Sequence, residues 1–125
     1  MLSEIKGRIR SASLGDALET LRSIEVFQIE VKRVYDVVFI HCASNLTLSS
    51  LNDLSTSAIM LEVEISEVRK FFPNFTEADV AARFSWISQD LRRIEAALEL
   101  LIHQLWLSEI DEASLLKADI ERLLE

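Results

Sequence analysis

Val80, Phe84, Ile87, Leu91, Ile94, Leu98, Leu101 and Leu105 are separated alternately by four and three positions within the stretch Thr76 to Leu107. That spacing lines all of them along one face of an α-helix. Thr76 precedes the run with Asp79 three positions on, so a hydroxyl is placed to cap free backbone N–H groups and a carboxylate to reach back to the cap. At about 1.5 Å per residue the helix is roughly 45 Å long. An apolar seam of that length is stable only when other helices cover it.

The rest of the chain supplies such helices. Ser13-Leu14-Gly15-Asp16 reads as a second capping pattern, followed by Ala17, Leu21, Ile24, Gln28, Val31, Tyr35, Val38 and Cys42 at the same spacing. Leu18, Phe27 and Val34 widen this stripe, and Gln28 alone interrupts it. Val37 to Ile40 is β-prone, but a strand over Val34 to Ile40 has no second strand-like run to pair with, so helix is the reading kept. Asn45 to Ser49 then serves as a linker. A third pattern, Ser50-Leu51-Asn52-Asp53, precedes Leu54, Ala58, Leu61, Ile65, Val68 and Phe72, and Pro73 ends that helix. The short reversal at Pro73 to Phe75 makes this helix and the one after Thr76 an antiparallel hairpin. Beyond Leu107, Ser108 or Ser114 caps a shorter helix with Ile110, Leu116, Ile120 and Leu123, or the preceding helix continues with a bend. At the other end, Ser3 to Arg10 forms a short, net basic helical turn with Ile5 and Ile9 on one side, within a segment 1–12 that is expected to fray.

These stretches predict an all-α fold: an antiparallel bundle of three long helices plus a shorter C-terminal helix, as a single domain over 1–125. Composition agrees, because two Gly and one Pro leave little material for the turns of a sheet protein. A chain of 125 residues can bury a real core without disulfides or a structural metal.

The net charge of −8 repels phosphate backbones and argues against direct nucleic-acid binding. Cys42 is the single cysteine, and Met1 to Arg10 carries Glu4, Lys6, Arg8 and Arg10 where a signal core would be apolar. An intracellular, cytoplasmic location is the expectation. The longest uncharged run, Val37 to Asn52, is too short to span a membrane.

Residues able to carry chemistry are sparse. His41 and Cys42 are adjacent, but a zinc site needs about four such ligands. Glu99 and His103 lie four apart and occur once, where a di-iron bundle needs two Glu-x-x-His pairs. His41 is followed by Cys42, Ala43, Ser44 and Asn45, without the Lys-Gly step of histidine phosphotransfer bundles. Helical chorismate mutases bind a dianion with several inward cations, against which the helix after Ser13 offers Arg22, Lys32 and Arg33. Gly7 and Gly15 belong to no nucleophile-elbow or phosphate-loop pattern. No catalytic residue, cofactor or metal is assigned, and the chain reads as non-enzymatic.

The informative surplus is apolar. Val26, Ile29, Val37 and Ile40 lie off the main seam of their helix, Leu100 and Leu107 point nearly opposite Leu98, and Trp86 and Trp106 stand on the flanks. Either a further helix covers these positions or they form an interface, since exposed apolar patches mark association sites and Trp is enriched among binding anchors. The second reading makes the chain a protein-protein interaction module, a homodimer or a subunit of a larger assembly, with Val37, Ile40, Trp86, Leu100, Trp106 and Leu107 as contact candidates. The alternative is an acidic inhibitory or immunity-type protein that presents Glu62, Glu64 and Glu67, or Glu109, Asp111 and Glu112, to a basic target.

Overall fold

A computed structural model describes residues 1–41, 45–106 and 113–125. Helix formation is clearest after Thr76, where the reciprocal cap closes as its residues require. The Asp79 N–H donates to Thr76 Oγ1 at 3.3 Å, while the Asp79 carboxylate accepts from the Thr76 N–H at 2.8 Å and hydroxyl at 3.0 Å. The helix that follows, α4, spans Glu77–Trp106. All its seam residues from Val80 to Leu105 are buried, none more than 3% exposed.

Four further helices cover that seam: α1 (Leu2–Arg10), α2 (Ala17–His41), α3 (Asn45–Phe71) and α5 (Ala113–Leu124). Between α3 and α4 the chain reverses through a 3-10 turn, Phe72–Asn74, with Pro73 in its first turn where a missing N–H costs nothing. α2 packs on α3, α3 on α4, α4 on α5 and α5 on α2, which closes a four-cornered bundle. Among the described residues there is no strand, and Val34 to Ile40 is helical. No helix among them is long and apolar enough to cross a membrane.

The fourth corner is made of two pieces. α5 has 12 residues against 30 in α4, so it covers only part of the long seam. α1 continues from the point where α5 stops. The Ser3 N–H donates to the Glu125 carbonyl at 3.2 Å and the Met1 nitrogen to the Arg122 carbonyl at 3.3 Å. The leading donors of α1 thereby satisfy carbonyls at the end of α5 that no residue of α5 itself can reach. Side-chain pairs keep both pieces antiparallel to their neighbours. On α4, Lys117 of α5 lies over Trp106 and Lys6 of α1 pairs with Glu95; on α2, Asp119 meets Arg33 and Arg8 meets Glu19. Leu2 and Ile5 enter the same core as Leu116, Ile120 and Leu123.

Several expectations need correction. Within the segment 1–12, the helix α1 runs over Leu2–Arg10, longer than the helical turn expected from Ser3, and it buries Leu2 and Ile5. Ser13 does not cap α2: its N–H and hydroxyl both donate to Asp16 at 2.7 Å, closing a turn, and α2 starts at Ala17 after the Asp16 carbonyl has accepted the Thr20 N–H. Ser50 is not a cap either. α3 begins at Asn45, so the whole of the expected linker, Asn45 to Ser49, is helix, and the Ser50 hydroxyl finds a partner in Gln104 Oε1 at 3.1 Å. A helix that pairs with the 30 residues of α4 gains by running its full length, and α3 has 27. Leu18 is exposed whereas Phe27 and Val34 are buried, so the α2 stripe widens on one side only. Gln28 stays inside the buried seam. Cys42, Ser108 and Ile110 lie outside the described residues.

The docking of α1 is directly measurable. Ile5→Ala removes a fully packed side chain and should lower unfolding stability by about 2–5 kcal/mol in a denaturant titration. A loss under about 0.5 kcal/mol, typical of surface positions, would mean that α1 does not complete the core.

Candidate association groove

The α3–α4 pair carries a second, less apolar row beside its core seam. Ser50, Ser57 and Glu64 recur at seven-residue intervals on α3, and Gln104, Ala97 and Asp90 recur at the same interval in reverse on α4. Antiparallel packing brings them level: Ser50 bonds Gln104, Ser57 and Ala97 line one stretch of groove, and Glu64 and Asp90 line the next. Small residues in the middle of the row leave a furrow on the outer side of the helix pair.

The furrow has two adjoining lobes. The larger, about 580 Å³, runs from Asp53 and Leu100 past Thr56, Ser57, Ala96 and Ala97 to Met60 and Arg93. The smaller, about 310 Å³, continues from Met60 and Arg93 to Ile59, Val63, Glu64, Trp86, Gln89 and Asp90. The walls of the furrow hold five large apolar groups left open to solvent: Trp86 is 62% exposed, Ile59 57%, Leu100 52%, Val63 51% and Met60 42%. Isolated exposed hydrophobics are ordinary, but five around one concave strip form a patch of the kind that marks association.

Two carboxylates form the floor at one end. The Asp90 side chain is 6% exposed, with Arg93 Nη1 at 3.5 Å, and Glu64 is 17% exposed, with Arg83 Nη1 at 3.8 Å. Arg83 also pairs with Glu67 at 3.2 Å. Burial pushes the Glu64 carboxyl above the usual range, opposed by Arg83 and reinforced by Glu67 and Asp90. Burial pushes Asp90 the same way, opposed by Arg93. Glu64 Oε2 is buried without a hydrogen-bond partner among the described residues. This end of the groove is therefore a place where removing negative charge relieves the fold.

The contact candidates fall in different places. Trp86 and Leu100 stand on the groove walls. Ile40 and Trp106 are exposed at the bundle end where α2 and α4 finish, and Lys117 covers one face of the Trp106 ring at 4.1 Å. Val37 packs against the core and is half-buried. Leu107 lies outside the described residues. Ile59, Met60 and Val63 were not among the candidates; their signal was the i, i+4 pair Ile59 and Val63 on the α3 face next to Ser57 and Glu64. Glu99 and His103 are both exposed. Among the described residues, no three His, Cys, Asp or Glu side chains come together as a metal-binding group. No protein-family model, curated protein or solved structure matches the chain.

The strained carboxylate gives a test with a definite sign. A carboxyl whose folded pKa is raised binds more protons in the native state, so its penalty is full above that pKa and is relieved as pH falls through it. Glu64→Gln should therefore raise the thermal midpoint at neutral pH, with the gain shrinking toward acid as the native Glu64 becomes protonated. A variant less stable than the native chain at neutral pH would show that the Arg83 contact outweighs burial.

Proposed function

We propose that the chain is a non-enzymatic protein-association module whose α3–α4 groove receives a second copy of the same chain. The observation that carries this reading is the run of open apolar side chains, from Leu100 through Met60, Ile59 and Val63 to Trp86, along one concave strip. Burying half-exposed groups of this size contributes on the order of 25 cal/mol per Å² of apolar area, and a stable dimer interface takes about 800 Å² from each partner.

Charge selects the occupant. The larger lobe has Asp53 beside Leu100 at one end and Arg93, which is 55% exposed and shares its charge with Asp90, beside Met60 at the other; Ser57, Ala96 and Ala97 lie between. An isologous contact repeats one surface on both subunits, so an antiparallel two-fold arrangement brings the Asp53 end of one copy toward the Arg93 end of the other. Small central residues let the two helix pairs approach closely. The remaining acidic surface stays outside the contact, where salt screens it within about 8–10 Å.

Light scattering coupled to size exclusion tests this directly. The native chain should elute as a dimer whose mass persists at high salt, since apolar burial dominates. Val63→Asp combined with Trp86→Asp should give the monomer mass with unchanged helicity by circular dichroism, while Ile29→Asp on the outer face of α2 should leave the dimer intact. A monomeric native chain, or a dimer that survives the groove substitutions, contradicts the reading.

A further inference from the structure

α1 creates a second cleft where it docks on α4, with a chemistry unlike that of the groove. The cleft is about 400 Å³, within the range of small-molecule sites, and opens between the C-terminal half of α1 and the middle of α4. Its apolar floor is Ile9 and Leu91, and the Lys6–Glu95 ion pair closes one end. Arg10 comes from α1, and Arg92 and Ser88 come from α4.

Arg10 and Arg92 are two of the three arginines that meet no carboxylate among the described residues, and the third, Arg22, lies away from this cleft. Arg8, Arg33, Arg69, Arg83, Arg93 and Arg122 each meet a carboxylate. Arg10, Arg22 and Arg92 have none among the described residues, although acidic side chains outnumber basic ones by 21 to 13 in the whole chain, and of these three Arg10 and Arg92 share the cleft. Glu95 is the one acidic residue of the cleft and Lys6 already neutralises it, so the two guanidinium charges remain uncompensated. Elements far apart in sequence thus deliver two free cations and a hydroxyl to one small, part-apolar recess within an acidic molecule.

The geometry points to a binding site for a small phosphate monoester that carries an apolar group. Two guanidinium groups match a dianion, and Arg presents a planar fork of donors suited to phosphate oxygens. The Ser88 hydroxyl adds a donor, and the Ile9 and Leu91 floor takes the organic part. A monocarboxylate would leave one cation unmatched. A nucleic-acid backbone would have to run onto the acidic surface beyond the cleft.

Phenyl phosphate and inorganic phosphate serve as probes, titrated into the full chain at constant ionic strength and followed by amide NMR shifts. Phenyl phosphate should give saturable shifts confined to the second half of α1 and to residues 88–95, with inorganic phosphate binding the same site more weakly. Arg10→Gln with Arg92→Gln should weaken phenyl phosphate at least tenfold, the Arg10→Lys, Arg92→Lys pair should recover part of the loss, and Lys32→Gln on α2 should change nothing. Both arginines are exposed, so circular dichroism should stay native in every variant. The proposal is overturned by shifts that do not saturate, by inorganic phosphate binding as tightly as phenyl phosphate, or by an affinity that the glutamine pair leaves unchanged.

Discussion

Burial of the α4 seam is the constraint on which the rest of the architecture depends. A helix of 30 residues with one continuous apolar face cannot stand in water, and no single partner in this chain is placed to enclose it. α3 covers one flank along nearly its full length. The opposite flank is shared by α5 and α1, which meet end to end through backbone hydrogen bonds between Ser3 and Glu125 and between Met1 and Arg122. Two elements too short to span the bundle thus act together as one broken helix, each supplying the polar partners that the other's end lacks. The two ends of the described chain are held together by that junction.

The same packing creates both recesses on the surface. Along α3 and α4, the central level of the flanking row holds Ser57 and Ala97, too small to fill the outer furrow, while the level below holds Glu64 and Asp90, which tolerate burial at a cost. Apolar groups then line the furrow walls in place of filling it. At the junction of α1 with α4, the short helix docked on the long one leaves a cleft whose floor is Ile9 and Leu91 and whose walls carry Arg10 and Arg92. One recess is largely apolar, with Asp53 near one end, Glu64 and Asp90 at the other and Arg93 between them, and the other is small and basic, so they suit different kinds of occupant.

Much of the fold was legible because helical period is a strong signal when a seam is long. The α4 seam, its Thr76 cap and the stop at Pro73 stand in the structure as the residues imply. The errors came from local motifs whose residues found other partners. Ser50 has the look of a cap but bonds Gln104 across the bundle, a contact that no one-dimensional pattern displays; at Ser13 the Asp16 carboxylate reaches back as the spacing implies, but the residues between form a turn and α2 starts at Ala17. The docking of α1 was hidden for a similar reason: its two buried residues, Leu2 and Ile5, are too few to set a period, and their partners lie at the other end of the chain. The groove was half visible, since Trp86 and Leu100 show as surplus on α4, whereas Ile59, Met60 and Val63 become meaningful only once α3 is rotated against α4.

Amide hydrogen exchange measured at low and at high protein concentration addresses the proposed association face most directly, because it reports location as well as mass action. The account predicts that protection rises with concentration at residues 53–63 and 86–100 and stays constant along the outer face of α2. Exchange that is independent of concentration across α3 and α4, or protection that rises at the bundle end near Ile40 and Trp106 instead, would contradict it.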